Sequence, residues 1–343
     1  MRCLVTGNHG FIGYILTNHL LKAGYDVVGY DCDYFPISCF GRKDTFDASK
    51  KIKQISKDIR DINKEDLKGV DAVIHLAALP NDPACDLNPF LADDINYLAT
   101  VQLATAARRA GVKRFIYASS CSVFGVKGNE IINEEDSPAP LTPYGFSKLK
   151  SEIALKGMNS SDFTVTLMRN ATCFGVSPRM RFDMVLNNLM GYAFTEGNVK
   201  ILSDGTSWRP IVHIEDVAEA YKLTLEAPKT DVASQVFAVG GENYQVKDIA
   251  EIVRTNIPKS AVEYAKGGQK DLRSYRVNFN KIEKILGFKM KWTTDKGCKE
   301  LLKAYKEFRL DKENFQDKWF WAGKAFKYLI ASGKVDKNLR LKD

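Results

Sequence analysis

The chain opens with Arg2-Cys3-Leu4-Val5-Thr6-Gly7-Asn8-His9-Gly10-Phe11-Ile12-Gly13, and the reading of this stretch decides the fold. Cys3 to Val5 is a short apolar run that reads as a buried strand, and Tyr14 to Ala23 reads as an amphipathic helix. Between them stand three glycines at three-residue spacing, each with its own task. Gly7 allows a tight turn, Gly10 lets the backbone approach a pyrophosphate, and Gly13 lets the helix pack closely on the strand. Phe11 and Ile12 belong to the same turn, at a helix N-terminus whose free N–H groups and partial positive charge suit that pyrophosphate. A glycine trio alone is a weak signal, because turns collect glycine; its strand–turn–helix setting strengthens it.

A second strand, Asp26 to Tyr30, follows and ends in Asp31. A carboxylate there can accept hydrogen bonds from an adenosine ribose and repel a 2′-phosphate. Gly41-Arg42-Lys43 lies beyond, but no Arg replaces Asp31, so NAD is expected rather than NADP. Tyr34 to Ser49 reads as a loop and Lys53 to Ser56 as a third strand. Asp58, at the tip of that strand, is a candidate contact to the adenine amine. Ala72 to Ala78 reads as the fourth strand, and Leu76, Ala77 and Ala78 at its end would let the backbone approach the dinucleotide. His75 has no evident partner and reads as a packed residue rather than a catalyst. Asn81, Asp82, Cys85 and Asp86 crowd a Pro-punctuated stretch, 79–89, which is a candidate substrate loop or an ordinary surface turn. A long helix, Leu91 to Ala110, carries Asn96, and Arg114 to Ala118 is the fifth strand. The alternation predicts an α/β fold: a Rossmann-type doubly wound parallel sheet with helices on both faces.

Composition is that of an ordinary globular protein, with 45% hydrophobic and 27% charged residues in 343. That length can bury one large core or two modest ones. No apolar run approaches membrane length and a strand begins at residue 2, so a cytoplasmic protein without a membrane anchor is expected. Seven cysteines show no C-x-x-C pair and no His partner at zinc spacing, which predicts reduced thiols and no metal site. The net charge of +8 is concentrated late in the chain, where Lys and Arg mix with Asp and Glu as on a solvated helical face. No nucleic-acid motif accompanies it, so nucleic acid is not an expected partner, whereas a phosphate-bearing substrate suits a basic protein.

The chemistry is concentrated in two stretches. The fifth strand runs into Ser119-Ser120-Cys121-Ser122, and Pro143-Tyr144-Gly145-Phe146-Ser147-Lys148 opens a helix that continues through Glu152. Tyr144 and Lys148 stand at i and i+4 on one helical face. A phenol with a reference pKa of about 10 is a poor base at neutral pH. A lysine ammonium one turn away, together with a positive nicotinamide, would bring it toward working pH. Ser120 can hold the same substrate hydroxyl for proton removal.

In this order, Thr6-Gly7-x-x-Gly10-x-x-Gly13, Asp31, Asp58-Ile59, His75-Leu76-Ala77-Ala78, Ser120 and Tyr144-x-x-x-Lys148, the chain resembles the extended short-chain dehydrogenase/reductase family. Within that family it is most similar to the nucleotide-sugar epimerase/dehydratase group, over roughly residues 1–300. The resemblance implies a Rossmann domain over 1–170 with a return segment near 208–240. It also implies a smaller α/β domain over 171–207 and 241–304 that grips a nucleotide-diphosphate sugar, and a homodimer packed through the Tyr–Lys helix. Ile59 and Asn96 join the expected cofactor contacts. Thr172 falls where many members carry Asn, and Arg209 and Arg273 fit the positions of two diphosphate arginines, whose forked guanidinium groups suit that ligand. Asn81, Asn187 and Asn188 could reach the ligand. Arg179 and Arg181 lie in an unusually basic loop and read equally as substrate contacts or as a surface ion pair. His213 and Asp216 read as structural. Residues 305–343 form a C-terminal helical extension, rich in aromatics, for which burial or a subunit contact is the expected use.

The family mechanism starts with Tyr144 taking the sugar C4-hydroxyl proton while C4 gives hydride to NAD⁺. In the 4,6-dehydratases an Asp–Glu pair follows the catalytic Ser or Thr. Here Cys121 and Ser122 occupy those positions, poor acids at neutral pH that count instead among the expected substrate contacts. An epimerase needs no further acid, so epimerisation through a 4-keto sugar is the leading expectation. A C4 dehydrogenase/reductase or a dehydratase is the alternative, and a non-catalytic NAD sensor is remote. The 81–86 and 177–183 loops depart from what the resemblance implies for a common UDP-galactose epimerase, which leaves open an unusual sugar, such as a heptose or an envelope-polysaccharide precursor.

Overall fold

Runs of Val, Ile, Leu and Phe, buried on both faces, need cover from two sides, and a parallel sheet between helical layers supplies it. In the computed structural model, which describes residues 1–35, 40, 52–265, 271 and 273–342, seven strands do this. They are β1 (Arg2–Thr6), β2 (Asp26–Asp31), β3 (Lys53–Ser56), β4 (Ala72–His75), β5 (Arg114–Ser120), β7 (Thr164–Asn170) and β11 (Val236–Val239). Their order across the sheet is β11-β7-β5-β4-β1-β2-β3, every neighbour parallel. Alternate residues serve opposite cores: Cys3, Val5 and Ile74 face one, and Leu4, Val73 and Phe115 face the other. On the first face the helices Phe11–Lys22 and Ile214–Glu226 pack together; on the second lie Ala99–Arg109 and Pro143–Lys156. Between β1 and β4 the strand order reverses, which opens a crevice at the strands' carboxyl ends.

Smaller sheets cover that crevice. Strand β6 (Val126–Ile132) pairs with β14 (Ser274–Val277), and β9 (Asn198–Ile201) pairs with β13 (Ala261–Tyr264). Strand β10 (Trp208–His213) lies between β8 (Thr172–Phe174) and β12 (Glu242–Gln245). The return to the central sheet therefore begins with the helix Ile214–Glu226 and β11 rather than at 208, and β6, although inside 1–170, joins a strand of the later part.

Local boundaries differ from expectation where side-chain pattern is a poor guide. The first helix starts at Phe11, a turn earlier than expected, so that Gly13 lies within it. The long helix is three consecutive pieces, Pro89–Ala92, a π-type stretch Asp93–Leu98, and Ala99–Arg109. The expected loop 34–49, with Cys39 and Gly41-Arg42-Lys43, lies mostly outside the described residues. After the helix Thr294–Phe308, the chain forms two short turns, the helix Ala322–Ala331 and a bridge between Val335 and Leu341. Phe315, Phe320, Phe326 and Leu329 from this segment are buried. Among the described residues no helix is long and apolar enough to cross a membrane.

Candidate active site

A cavity of about 960 Å³ occupies the crevice, within the range that holds a sizeable ligand. Its cofactor end is made of backbone. Gly7 has φ +71°, and a Cβ there would lie 2.8 Å from the Ala77 nitrogen. A Cβ at Gly13 would stand 2.0 Å from the Gly7 carbonyl oxygen, so the helix rests on the turn itself. Gly10 opens that helix without a side-chain cap, and Phe11 and Ile12, in its first turn, line the cavity. A cradle that excludes side chains and ends in an uncapped helix N-terminus fits a dinucleotide pyrophosphate. Leu76, Ala77 and Ala78 line the opposite wall.

Asp31 sits beside the turn, accepting from the His9 and Asp33 N–H groups, both at 3.1 Å. Burial raises its pKa against the pull of those hydrogen bonds. Asp58 and Ile59 also line the cavity, but both Asp58 oxygens are held by Arg60, at 2.9 and 2.6 Å, with the Tyr34 hydroxyl at 3.2 Å. Burial alone would raise its pKa; the Arg60 hydrogen bonds hold it below the usual carboxylate value.

At the centre, Thr142 caps the helix Pro143–Lys156, its hydroxyl oxygen accepting from the Gly145 N–H at 3.2 Å, and Pro143 pre-sets the first turn. Ser120, Tyr144 and Lys148 all line the cavity. The Lys148 ammonium donates to the Ala118 carbonyl at 2.8 Å and lies 5.8 Å from the Tyr144 ring centroid. Burial lowers its pKa to about 8, while the Glu152 carboxylate works the other way. Burial pushes the Tyr144 phenol well above its ordinary value, against a hydrogen bond from Ser120 and the charge of Arg181. The expected lowering by Lys148 is not seen: desolvation penalises the phenolate more than Ser120 and Arg181 favour it. One turn beyond Lys148, Glu152 accepts from the Ser119 hydroxyl and pairs with Arg169 at 2.8 Å, both side chains buried. Through Arg169 and Ser119, Glu152 ties the Tyr–Lys helix to the ends of β7 and β5.

Side chains build the other end, where substrate contacts are expected. Arg209 and Arg273 both line the cavity, and both hold Asp271, whose Oδ2 lies 2.5 Å from Arg209 and 2.7 Å from Arg273. Arg273 also contacts Asp82. Arg181 forms a fork with Asp183 at 2.9 and 3.1 Å, and Asn81 donates to the same carboxylate at 2.8 Å. Arg179 stacks on Phe35, 3.8 Å from its centroid, and burial lowers its pKa to about 10. The ion pair Arg181–Asp183 therefore belongs to the cavity wall and not to the outer surface. Ser122, Thr172 and Asn188 line the cavity as well.

Three expected contacts do not line it. Asn96 is buried and spends its amide on Leu79 and Ser147, clamping the 79–85 stretch to the Tyr–Lys helix. Asn187 holds the backbone of Gly175 and Arg181. Cys121 donates its thiol proton to the Arg169 carbonyl, and burial raises its pKa far above the usual thiol value. Each is a polar residue on a suitable segment whose side chain points into the protein rather than the crevice. His75 is likewise internal, between Thr6 and Thr100, and burial lowers its pKa to about 3, leaving it neutral. His213 meets Glu300 and stacks on Trp292. Asp271, Asp183 and five residues of the last helix, Ala322, Gly323, Lys324, Phe326 and Lys327, also line the cavity. Nothing in the sequence around 322–327 marks them as such.

A family model described as the NAD dependent epimerase/dehydratase family matches residues 3–240. UDP-glucuronate 4-epimerase from Thermodesulfobacterium geofontis is 28% identical over 321 residues, covering 89% of this chain and 96% of that protein. The crystal structure of UDP-glucuronic acid 4-epimerase from Bacillus cereus, in complex with UDP-glucuronic acid and NAD, superposes with a TM-score of 0.79 at 26% identity. It covers 90% of this chain and 99% of that one, so about a tenth of this chain has no counterpart there. A dTDP-glucose 4,6-dehydratase from Streptomyces venezuelae superposes with a TM-score of 0.79, covering 93% of this chain and 100% of that one. At 22% identity that likeness speaks for the fold alone.

Proposed function

The chain belongs to the NAD dependent epimerase/dehydratase family, and from that premise we propose that it is a UDP-sugar 4-epimerase. The observation that carries this is the single cavity in which Ser120, Tyr144 and Lys148 lie between the glycine cradle and the Arg209–Arg273 pair. NAD, when bound, supplies a hydride acceptor for the sugar carbon at C4 and a positive ring that favours phenolate. Arg209 and Arg273 would take the diphosphate, which sets the sugar's distance from Tyr144. Ser120 would hold the C4 hydroxyl, and Tyr144 would remove its proton and later return one. Lys148, fixed on the Ala118 carbonyl, would keep its ammonium beside the phenol.

Epimerisation is favoured over dehydration because, among the described residues, the carboxylates around the Arg209–Arg273 pair are already engaged. Cys121 faces Arg169, and Asp82, Asp183 and Asp271 are each paired with an arginine. The test is incubation with UDP-glucose, UDP-glucuronate and dTDP-glucose, with products followed by NMR. Inversion at C4 supports the proposal. A 4-keto-6-deoxy product would make the chain a dehydratase. Net NADH accumulation would make it a dehydrogenase.

We further propose a homodimer through the Tyr–Lys helix. Phe146 and Ile153 on that helix are 48% and 65% exposed, and Phe90 on a neighbouring helix is 84% exposed. Such apolar side chains on adjoining helices suit a subunit contact. Light scattering should report twice the chain mass, and Ile153→Asp should halve it.

A further inference from the structure

The segment after Phe308 reaches across the cavity and is fastened on both sides of it. On the substrate side, the Phe182 N–H donates to the Phe320 carbonyl at 3.0 Å. The Ala322 N–H donates to Asp183 at 3.1 Å, and the Arg179 guanidinium donates to the Trp319 carbonyl. On the adenosine side, Arg60 donates to the Asn338 and Leu339 carbonyls at 2.9 and 3.2 Å. The Tyr34 hydroxyl also donates to Leu339, and Arg340 reaches Asp61 at 2.6 Å. Between these fastenings runs the helix Ala322–Ala331, about 15 Å long at 1.5 Å per residue. It sets Phe326 edge-on to Tyr34 and Phe35, with centroids 6.0 and 5.3 Å apart. Gly323 passes so close to Pro83 that a Cβ on it would lie 3.1 Å from the Pro83 Cβ.

We propose that residues 318–342 form the outer wall of the dinucleotide site, a clasp that must lift before NAD can enter or leave. Lifting it breaks the Arg60 and Tyr34 hydrogen bonds and exposes Phe326, Leu329 and Leu339, all now buried. The lifted state is therefore sparsely populated, and exchange is slow because it waits for that state. Phe326 closes the groove near Tyr34 and Phe35, whereas Ala322 and Gly323 close it near Asp183 and Pro83. The clasp thus runs along the groove rather than capping one end. The proposal rests on NAD dependence and not on the sugar or the outcome at C4.

The Gly323–Pro83 approach provides the test. Disulfides hold their Cβ atoms about 3.5–4.5 Å apart, so Gly323→Cys with Pro83→Cys can pin the clasp after a small relaxation. Isotope-labelled NAD is bound to the reduced double variant and chased with unlabelled NAD, before and after oxidation, with the cross-link verified by mass spectrometry. The oxidised form should exchange at least tenfold more slowly, and reduction should restore the original rate. A second chain, ending at Gly333, loses the Arg60 and Tyr34 fastenings and should exchange at least tenfold faster. Equal rates in the oxidised and reduced forms would overturn the clasp while leaving the cofactor site intact. Failure of the parent chain to bind NAD at all would overturn the cofactor site as well.

Discussion

The two ends of the cavity are built from different materials. At the dinucleotide end, Gly7, Gly10 and Gly13 form a surface of main chain with no room for side chains. At the end proposed for the substrate, Arg209, Arg273 and Arg181 face carboxylates of their own, Asp271, Asp82 and Asp183. A backbone cradle recognises a shape common to all its ligands and cannot be retuned without refolding. A set of paired charges can be re-paired, so one scaffold can accept different sugars while keeping one cofactor.

Tyr144 stands where the two ends meet, and its removal gives the largest expected effect. Tyr144→Phe should lower turnover by about 10²–10⁴-fold, with NAD and UDP-sugar binding little changed. If turnover survives, neither end serves the chemistry proposed. Arg209→Ala should next raise the KM for a UDP-sugar by roughly 10- to 150-fold, the worth of ~1.5–3 kcal/mol for a charged hydrogen bond. Calorimetry should show NAD affinity unmoved; a parallel loss of NAD would blur the division between the ends. Gly13→Ala tests the other side. Its Cβ meets the Gly7 carbonyl, so stability should fall by ~1–3 kcal/mol through overpacking, and NAD affinity should fall with it. The smallest effect is on pH. In the proposed chemistry Lys148 keeps its proton, and its pKa is lowered to about 8 by burial, so kcat should decline as pH rises through about 8. Glu152 helps to hold that proton, so Glu152→Gln should move the decline to lower pH. A purely structural Glu152 would instead depress kcat equally at every pH.

The same contrast explains what could be read from residues alone. The strand Lys53–Ser56, the glycine turn and Asp31 are legible because each depends on its immediate neighbours in sequence. Tyr144 and Lys148 are legible because helical spacing places them. Asn96 and Asn187 mislead because an amide inside a protein and one facing a ligand have the same sequence signature, and only tertiary packing separates them. Asp271 is similar: its link to Arg273 is local, but its hold on Arg209 spans 62 positions. The wall made by Phe326 and its neighbours is wholly a matter of where a distant helix comes to rest.

One consequence of Asp271 concerns solvent ions. Two guanidinium groups facing water would gather mobile anions, and ligand binding would then weaken steeply as salt rises. Here Asp271 is a covalently attached counter-ion to both, and in the proposed reading a diphosphate would displace it rather than mobile anions. UDP-sugar affinity should accordingly respond weakly to ionic strength, which a salt titration followed by calorimetry would check.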